Sequence, residues 1–97
     1  MSLIGASRDL QYKDFGEIMA IDVLPETFRK GYGRYLFGQD LKSLKEQGYF
    51  KVYSWVLEKN KEAHLFYEKM GFYPNGDTMV TIIGGKEVVE IRYVYSI

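Results

Sequence analysis

Apolar and polar positions change period several times along the chain, and each change marks an element. Gly16 to Leu24 (GEIMAIDVL) is a nearly unbroken apolar run stopped by Pro25, the pattern of a strand covered on both faces. A shorter apolar piece, Ser2 to Ser7, precedes it. After the loop Pro25 to Lys30, the apolar residues Phe37, Leu41 and Leu44 recur at helical spacing, with Leu36 beside them and Gly48 following. This predicts an amphipathic helix from Gly33 to Gln47 with a glycine cap. Phe50 to Leu57 (FKVYSWVL) reads as a third strand. Asn60, a capping residue, then leads into Ala63, Phe66, Tyr67 and Met70, whose spacing puts them on one helical face ending at Gly71.

The tail alternates twice, over Thr78 to Ile83 and Val88 to Tyr95. The runs are joined through Gly84-Gly85, a dipeptide that tolerates the positive φ angles of a tight hairpin. The predicted order is β-β-α-β-α-β-β, a single α/β domain over residues 1–97. Right-handed crossovers are expected to leave a helix on each face of a mixed sheet.

Composition narrows the function. Forty-six per cent hydrophobic and 16% aromatic residues exclude disorder. Thirteen basic residues balance 13 acidic ones, which argues against nucleic acid or an anionic membrane as partner and favours a small ligand. With no cysteine and one histidine, no metal site is expected. The N-terminus carries neither a basic leader nor a long apolar run, so a soluble, cytoplasmic protein is expected.

The first chemical signal is the junction Val23-Leu24-Pro25-Glu26-Thr27-Phe28-Arg29-Lys30-Gly31-Tyr32-Gly33-Arg34, where a strand turns into a helix. A helix start presents free backbone N–H groups and the positive end of the dipole. Gly31 and Gly33 let an anion approach, and Arg29, Lys30 and Arg34 add charge, as a pyrophosphate requires. The P-loop and the dinucleotide fingerprint both fail, for want of Gly-Lys-Ser/Thr and because Leu36 stands where a third glycine belongs. The bland reading, glycines as steric relief at a turn, stays open from this stretch alone.

The second signal is Asn60-Lys61-Glu62-Ala63-His64-Leu65-Phe66-Tyr67-Glu68-Lys69-Met70-Gly71-Phe72. It resembles the N-x-x-A-x-x-F-Y-x-x-x-G-F signature of the GNAT superfamily of N-acetyltransferases. The earlier junction resembles that superfamily's Q/R-x-x-G-x-G/A motif, with Phe28 in place of its Gln or Arg. The resemblance implies a mixed sheet with helices on both faces. It also implies that the N-terminal strand and two helices of the full fold, which wall the acceptor side, are missing. The cofactor implied is acetyl-CoA. Its pantetheine would bond to the backbone of Ile21 to Val23 like an added strand, and its pyrophosphate would lie on Arg29, Lys30, Gly31, Tyr32, Gly33 and Arg34. Asn60, Phe66 and Tyr67 would complete the contacts.

By the same resemblance Tyr67 is the acid that protonates the departing thiolate, and Glu17 is the base that takes a proton from the acceptor amine. The bland alternatives are a core aromatic at Tyr67, a helix cap at Asn60 and a solvated strand start at Glu17. Asp22 marks a bulge, a strand face open to the ligand or a solvated edge, and His64 reads as a surface residue. The implied reaction is direct transfer of acetyl to a small-molecule or peptide amine, with no metal. The alternative is a non-catalytic acyl-CoA-binding module or subunit whose acceptor site comes from another chain. A sheet left without its usual cover predicts a homodimer or a complex with another chain, through the hairpin bearing Tyr93 and Tyr95.

Overall fold

The apolar runs fold as β1 (Ser2–Ala6), a 3-10 turn (Leu10–Tyr12), β2 (Gly16–Ile21), α1 (Tyr32–Glu46), β3 (Lys51–Leu57), α2 (Lys61–Lys69), β4 (Tyr73–Ile83) and β5 (Lys86–Ser96). The computed structural model describes residues 2–21 and 32–97. Gly84 and Gly85 take φ of 59° and 79°, so both central residues of the hairpin turn need the left-handed freedom of glycine. The hairpin is longer than its alternating runs suggest. β4 starts at Tyr73 and carries Pro74, which an edge strand tolerates because its outer N–H has no ladder partner.

The strand order is β1-β2-β3-β5-β4. β1 is antiparallel to β2, β2 is parallel to β3, and β5 is antiparallel to both β3 and β4. β3 and β4 therefore run the same way. The two parallel connections, β2 to β3 through α1 and β3 to β4 through α2, step in the same direction across the sheet. Right-handed crossovers then place both helices on one face. This corrects the expectation of helices on both faces.

On that face Ile18, Val52, Val56 and Tyr93 from the sheet share one core with Phe37 and Leu44 of α1 and Tyr67 of α2. Phe37 is its hub, edge-on to Phe66, Tyr67 and Phe72 at centroid distances of 5.3, 5.3 and 5.1 Å. A Cβ at Gly16 would lie 2.9 Å from Leu44 Cδ2, so glycine is what lets α1 close on β2.

The opposite face has no described helix, and the β1–β2 connection folds over it instead. Tyr12 and Phe15 pack on Tyr53 of β3 with centroids 5.6 and 6.1 Å away. The buried Arg92 guanidinium sits against Tyr12, Trp55 and Tyr53 at 3.9, 4.4 and 4.6 Å. Its Nη2 donates to Asp9 at 2.8 Å, and its Nε lies 3.5 Å from Asp77. Among the described residues Nη1 has no hydrogen-bond partner, and ring faces surround the guanidinium.

One expectation for the hairpin changes: Tyr93 is 3% exposed and stacks on Tyr67, so it is not a surface contact, while Tyr95, half-buried, stacks on Phe72. The exposed large apolar side chains of the hairpin, among the described residues, are Tyr73, Met79, Val80, Ile82 and Ile83, all on the edge strand β4. No described helix is long and apolar enough to cross a membrane.

Candidate functional site

The parallel pair β2–β3 is joined only at Gly16–Val52 and Glu17–Tyr53 among the described residues. Beyond them β2 continues to Ile21 and β3 to Leu57, with no further pairing between the two. On its other side β2 stays bonded to β1. There the register passes from Ile4–Ile18 to Leu3–Ala20, leaving Met19 as an extra residue. Such a bulge bends its strand and raises the local twist, which opens β2 away from β3. The result is a gap in the ladder, edged by strand backbone that has no partner between β2 and β3 among the described residues. The bulge falls at Met19, and Asp22 lies outside the described residues.

Tyr67 stands at the inner end of this opening. The sequence pattern puts it on the buried face of α2, and it is 7% exposed. Its hydroxyl lies 2.9 Å from Ser54 Oγ, and Ser54 donates to the Ile18 carbonyl at 2.8 Å. Ile18 and Ser54 are the first residues past the last β2–β3 pair, so the serine side chain bridges the strands where their backbones part. Burial pushes the Tyr67 phenol up to about 12 against the opposing Ser54 hydrogen bond, with the Asp40 carboxylate adding to the rise.

Glu17 closes the paired end. It is 1% exposed, so it is not the solvated residue that a strand start suggests. Oε1 accepts from the Arg8 backbone N–H at 3.1 Å and from the Tyr53 hydroxyl at 2.9 Å, and the Arg8 guanidinium donates to both oxygens. Burial alone would raise the Glu17 carboxyl, but the bonds from Arg8 and Tyr53 outweigh it and hold the group below the usual glutamate range.

Asn60 caps α2, its side chain accepting from the Ala63 backbone N–H at 3.1 Å. Phe66, half-buried beside Tyr67, leans on Phe37. Ile21 ends β2, and Tyr32, Gly33 and Arg34 form the first turn of α1, with no acidic residue in it. Val23, Arg29, Lys30 and Gly31 lie outside the described residues.

Sequence reasoning missed three residues. Ser54 looked like any strand position. Arg8 lay in a connection with no pattern. His64, expected at the surface, directs Nε2 at the carbonyls of Leu57 (3.1 Å) and Glu58 (2.9 Å), and its Nδ1 lies 2.6 Å from the Tyr93 hydroxyl. It ties the end of β3 to β5. The described residues gather no group of three or more acidic or histidine side chains that could hold a metal.

Comparison with known proteins fits this geometry. The smu.2055 protein of Streptococcus mutans superposes with a TM-score of 0.71 at 30% identity, over 93% of this chain and 56% of its own. Arabidopsis thaliana NAA60, solved with a bisubstrate analogue, gives 0.76 at 19% identity, over 99% of this chain and 62% of its own. A Bacillus subtilis acetyltransferase solved with CoA gives 0.74 at 16% identity, over 99% and 67%. The last two likenesses are of fold. The chain thus spans about three-fifths of the length of these relatives. Curated protein sequences give no match. The family model for acetyltransferases (GNAT) matches residues 3–72, and the chain belongs to that family.

Proposed function

We propose that this chain binds acetyl-CoA in the opening between β2 and β3 and carries out transfer of its acetyl group to a primary amine. The observation that carries the reading is the parallel pair that stops after two positions, with a buried tyrosine hydroxyl at the point of parting. An extended ligand bearing amides can satisfy the strand backbone left without partners there, in the manner of an added strand. Pantetheine has that chemistry. The α1 start, with Tyr32, Gly33 and Arg34 in its first turn and Arg29, Lys30 and Gly31 before it, suits the pyrophosphate. The β2 end at Ile21 and the following Val23 would face pantetheine, with Asn60 and Phe66 beside it.

Acetyl-CoA supplies the acyl group as a thioester, already activated. Tyr67 then acts as the acid: its phenol keeps its proton at any ordinary pH, so a proton is always available for the sulfur that departs. Glu17, with both oxygens occupied by Arg8 and Tyr53, anchors the closed end of the gap; a carboxylate so held is a poor base for the amine. An edge segment without charge, Thr78 to Ile83 on β4, suits pairing with a second copy of this chain, and light scattering of a monomer would rule that out.

Thermal unfolding with acetyl-CoA tests the reading. At a hundredfold excess over Kd the ligand should stabilise the fold by about 2.7 kcal/mol. A melting temperature that stays put at saturating acetyl-CoA rejects it. Binding without turnover of any amine would favour the acyl-CoA-binding module.

A further inference from the structure

We propose that Ser54 is a positioning residue for proton transfer: it fixes the Tyr67 phenol at the open end of the β2–β3 pair and hydrogen-bonds the phenolate left when Tyr67 gives up its proton. The inference rests on the acetyltransferase reading above.

It follows from counting hydrogens. A serine hydroxyl has one to donate. Ser54 spends it on the Ile18 carbonyl at 2.8 Å, and a carbonyl can only accept. The 2.9 Å contact between Ser54 and Tyr67 therefore has the phenol as donor. The Tyr67 proton is parked on Ser54 Oγ, with the two residues 3% and 7% exposed. Ser54 also stands in for the ladder bond that β2 and β3 cease to make one position past Glu17–Tyr53. One side chain thus fixes both the width of the opening and the direction of the acid.

A thiolate formed in the opening competes with Ser54 Oγ for the phenol proton. When the O–H bond of Tyr67 breaks and an S–H bond forms, the electron pair stays on oxygen as a phenolate. A buried phenolate without a donor is costly. Ser54 needs only to rotate its hydroxyl from the Ile18 carbonyl to that oxygen. The proton lost by the acceptor nitrogen, passed through water, restores the phenol, and Ser54 returns to Ile18.

Calorimetric affinities for coenzyme A and desulfo-coenzyme A, measured from about pH 6 to about pH 10, test this without an acceptor amine, because the range spans the ordinary thiol pKa of roughly 8.5. In the wild-type chain coenzyme A should bind roughly tenfold more tightly once its thiol ionises, as expected for a charge-assisted hydrogen bond. The desulfo analogue should show no such rise. Ser54→Ala should lose most of the rise with pH, and Ser54→Thr, which retains the hydroxyl, should recover it. Tyr67→Phe should lose it altogether. If Ser54→Ala does not fold, Ser54→Cys, a weak donor of similar size, carries the same expectation.

A Ser54→Ala profile that overlays the wild type while Tyr67→Phe is flat overturns the role of Ser54 and leaves the acetyltransferase reading intact. So does an equal loss of affinity by Ser54→Ala at every pH without recovery in Ser54→Thr, which marks a packing residue. A wild-type profile that is flat for coenzyme A overturns the inference as well. No wild-type binding of coenzyme A at any pH overturns the acetyltransferase reading and this inference together.

Discussion

The two faces of the sheet are sealed by different physics. Under α1 and α2 the contacts are ring on ring and ring on aliphatic, centred on Phe37, with the Ser54–Tyr67 pair as a buried polar inclusion. On the other face a charged group sits at the centre. Arg92 is 5% exposed among three aromatic rings and two carboxylates, and it pins a connection 83 positions earlier in the chain through Asp9. The first face excludes water through shape, and the second does so by neutralising a cation. The difference matters because the resemblance to the family implies helices on the second face, and here the short segment from Ser7 to Phe15 covers part of it. An ion-centred seal suits a short cover, since a few residues with fixed directions replace a large apolar area.

The largest expected effect comes from the apolar face. Phe37→Ala removes the ring on which Phe66, Tyr67 and Phe72 all pack and should cost about 3–5 kcal/mol in denaturant unfolding, unchanged between neutral and acid pH. Arg92→Ala should cost about 3 kcal/mol at neutral pH, because it strands Asp9 and Asp77 and empties the ring cage; their partial exposure keeps the figure at the low end. That loss should shrink in acid, as the Asp9 carboxylate, held below its ordinary range chiefly by its hydrogen bond from Arg92, takes up a proton. An Arg92→Ala penalty independent of pH would erase the contrast between the faces.

Glu17→Gln should cost about 1.5–3 kcal/mol at neutral pH, the range for hydrogen bonds to a charged group. Its sign with pH is fixed. The Glu17 carboxyl is held below its ordinary 4.5, so near that pH the unfolded chain binds more protons than the folded one. The contribution of Glu17 is complete above about 4.5 and disappears as pH falls through the lowered value. Unfolding of Glu17→Gln against pH should therefore lack part of the acid decline of the wild type. The smallest change in stability belongs to Tyr67→Phe, about 1 kcal/mol for one hydrogen bond with the ring retained. If the proposed acid role is right, its maximal rate should still fall while acetyl-CoA affinity holds, and equal losses of both would make Tyr67 a packing residue.

Much of this was legible because it is local. The run GEIMAIDVL stopped by Pro25, the Asn60 cap and the Gly84-Gly85 turn each state their geometry within a few residues. Tyr67 was legible as a buried residue from its spacing with Ala63, Phe66 and Met70, and as a candidate acid only by resemblance. What failed to show depends on strand order or on distant partners. Both helices share a face because β3 and then β4 are laid down in the same direction across the sheet, and no local pattern states that order. Ser54 gains its importance from facing Ile18 where the strands part, and Arg8 from folding back onto Glu17. His64 sits off the apolar stripe of its helix, yet two strand-end carbonyls and the Tyr93 hydroxyl reach it.

Trp55 is the sole tryptophan of the chain, and its ring lies against the Arg92 guanidinium at 4.4 Å. The protein thus carries one indole fluorophore, placed on the ion-centred face beside a cation. Its emission, excited at the long-wavelength edge of the indole ultraviolet band where tyrosine and phenylalanine do not absorb, reports on the cover formed by Ser7 to Phe15. Two optical windows, tryptophan emission and far-ultraviolet dichroism, can therefore follow the two seals separately within a single sample. Loosening of one face before the other would appear as a gap between the two unfolding curves.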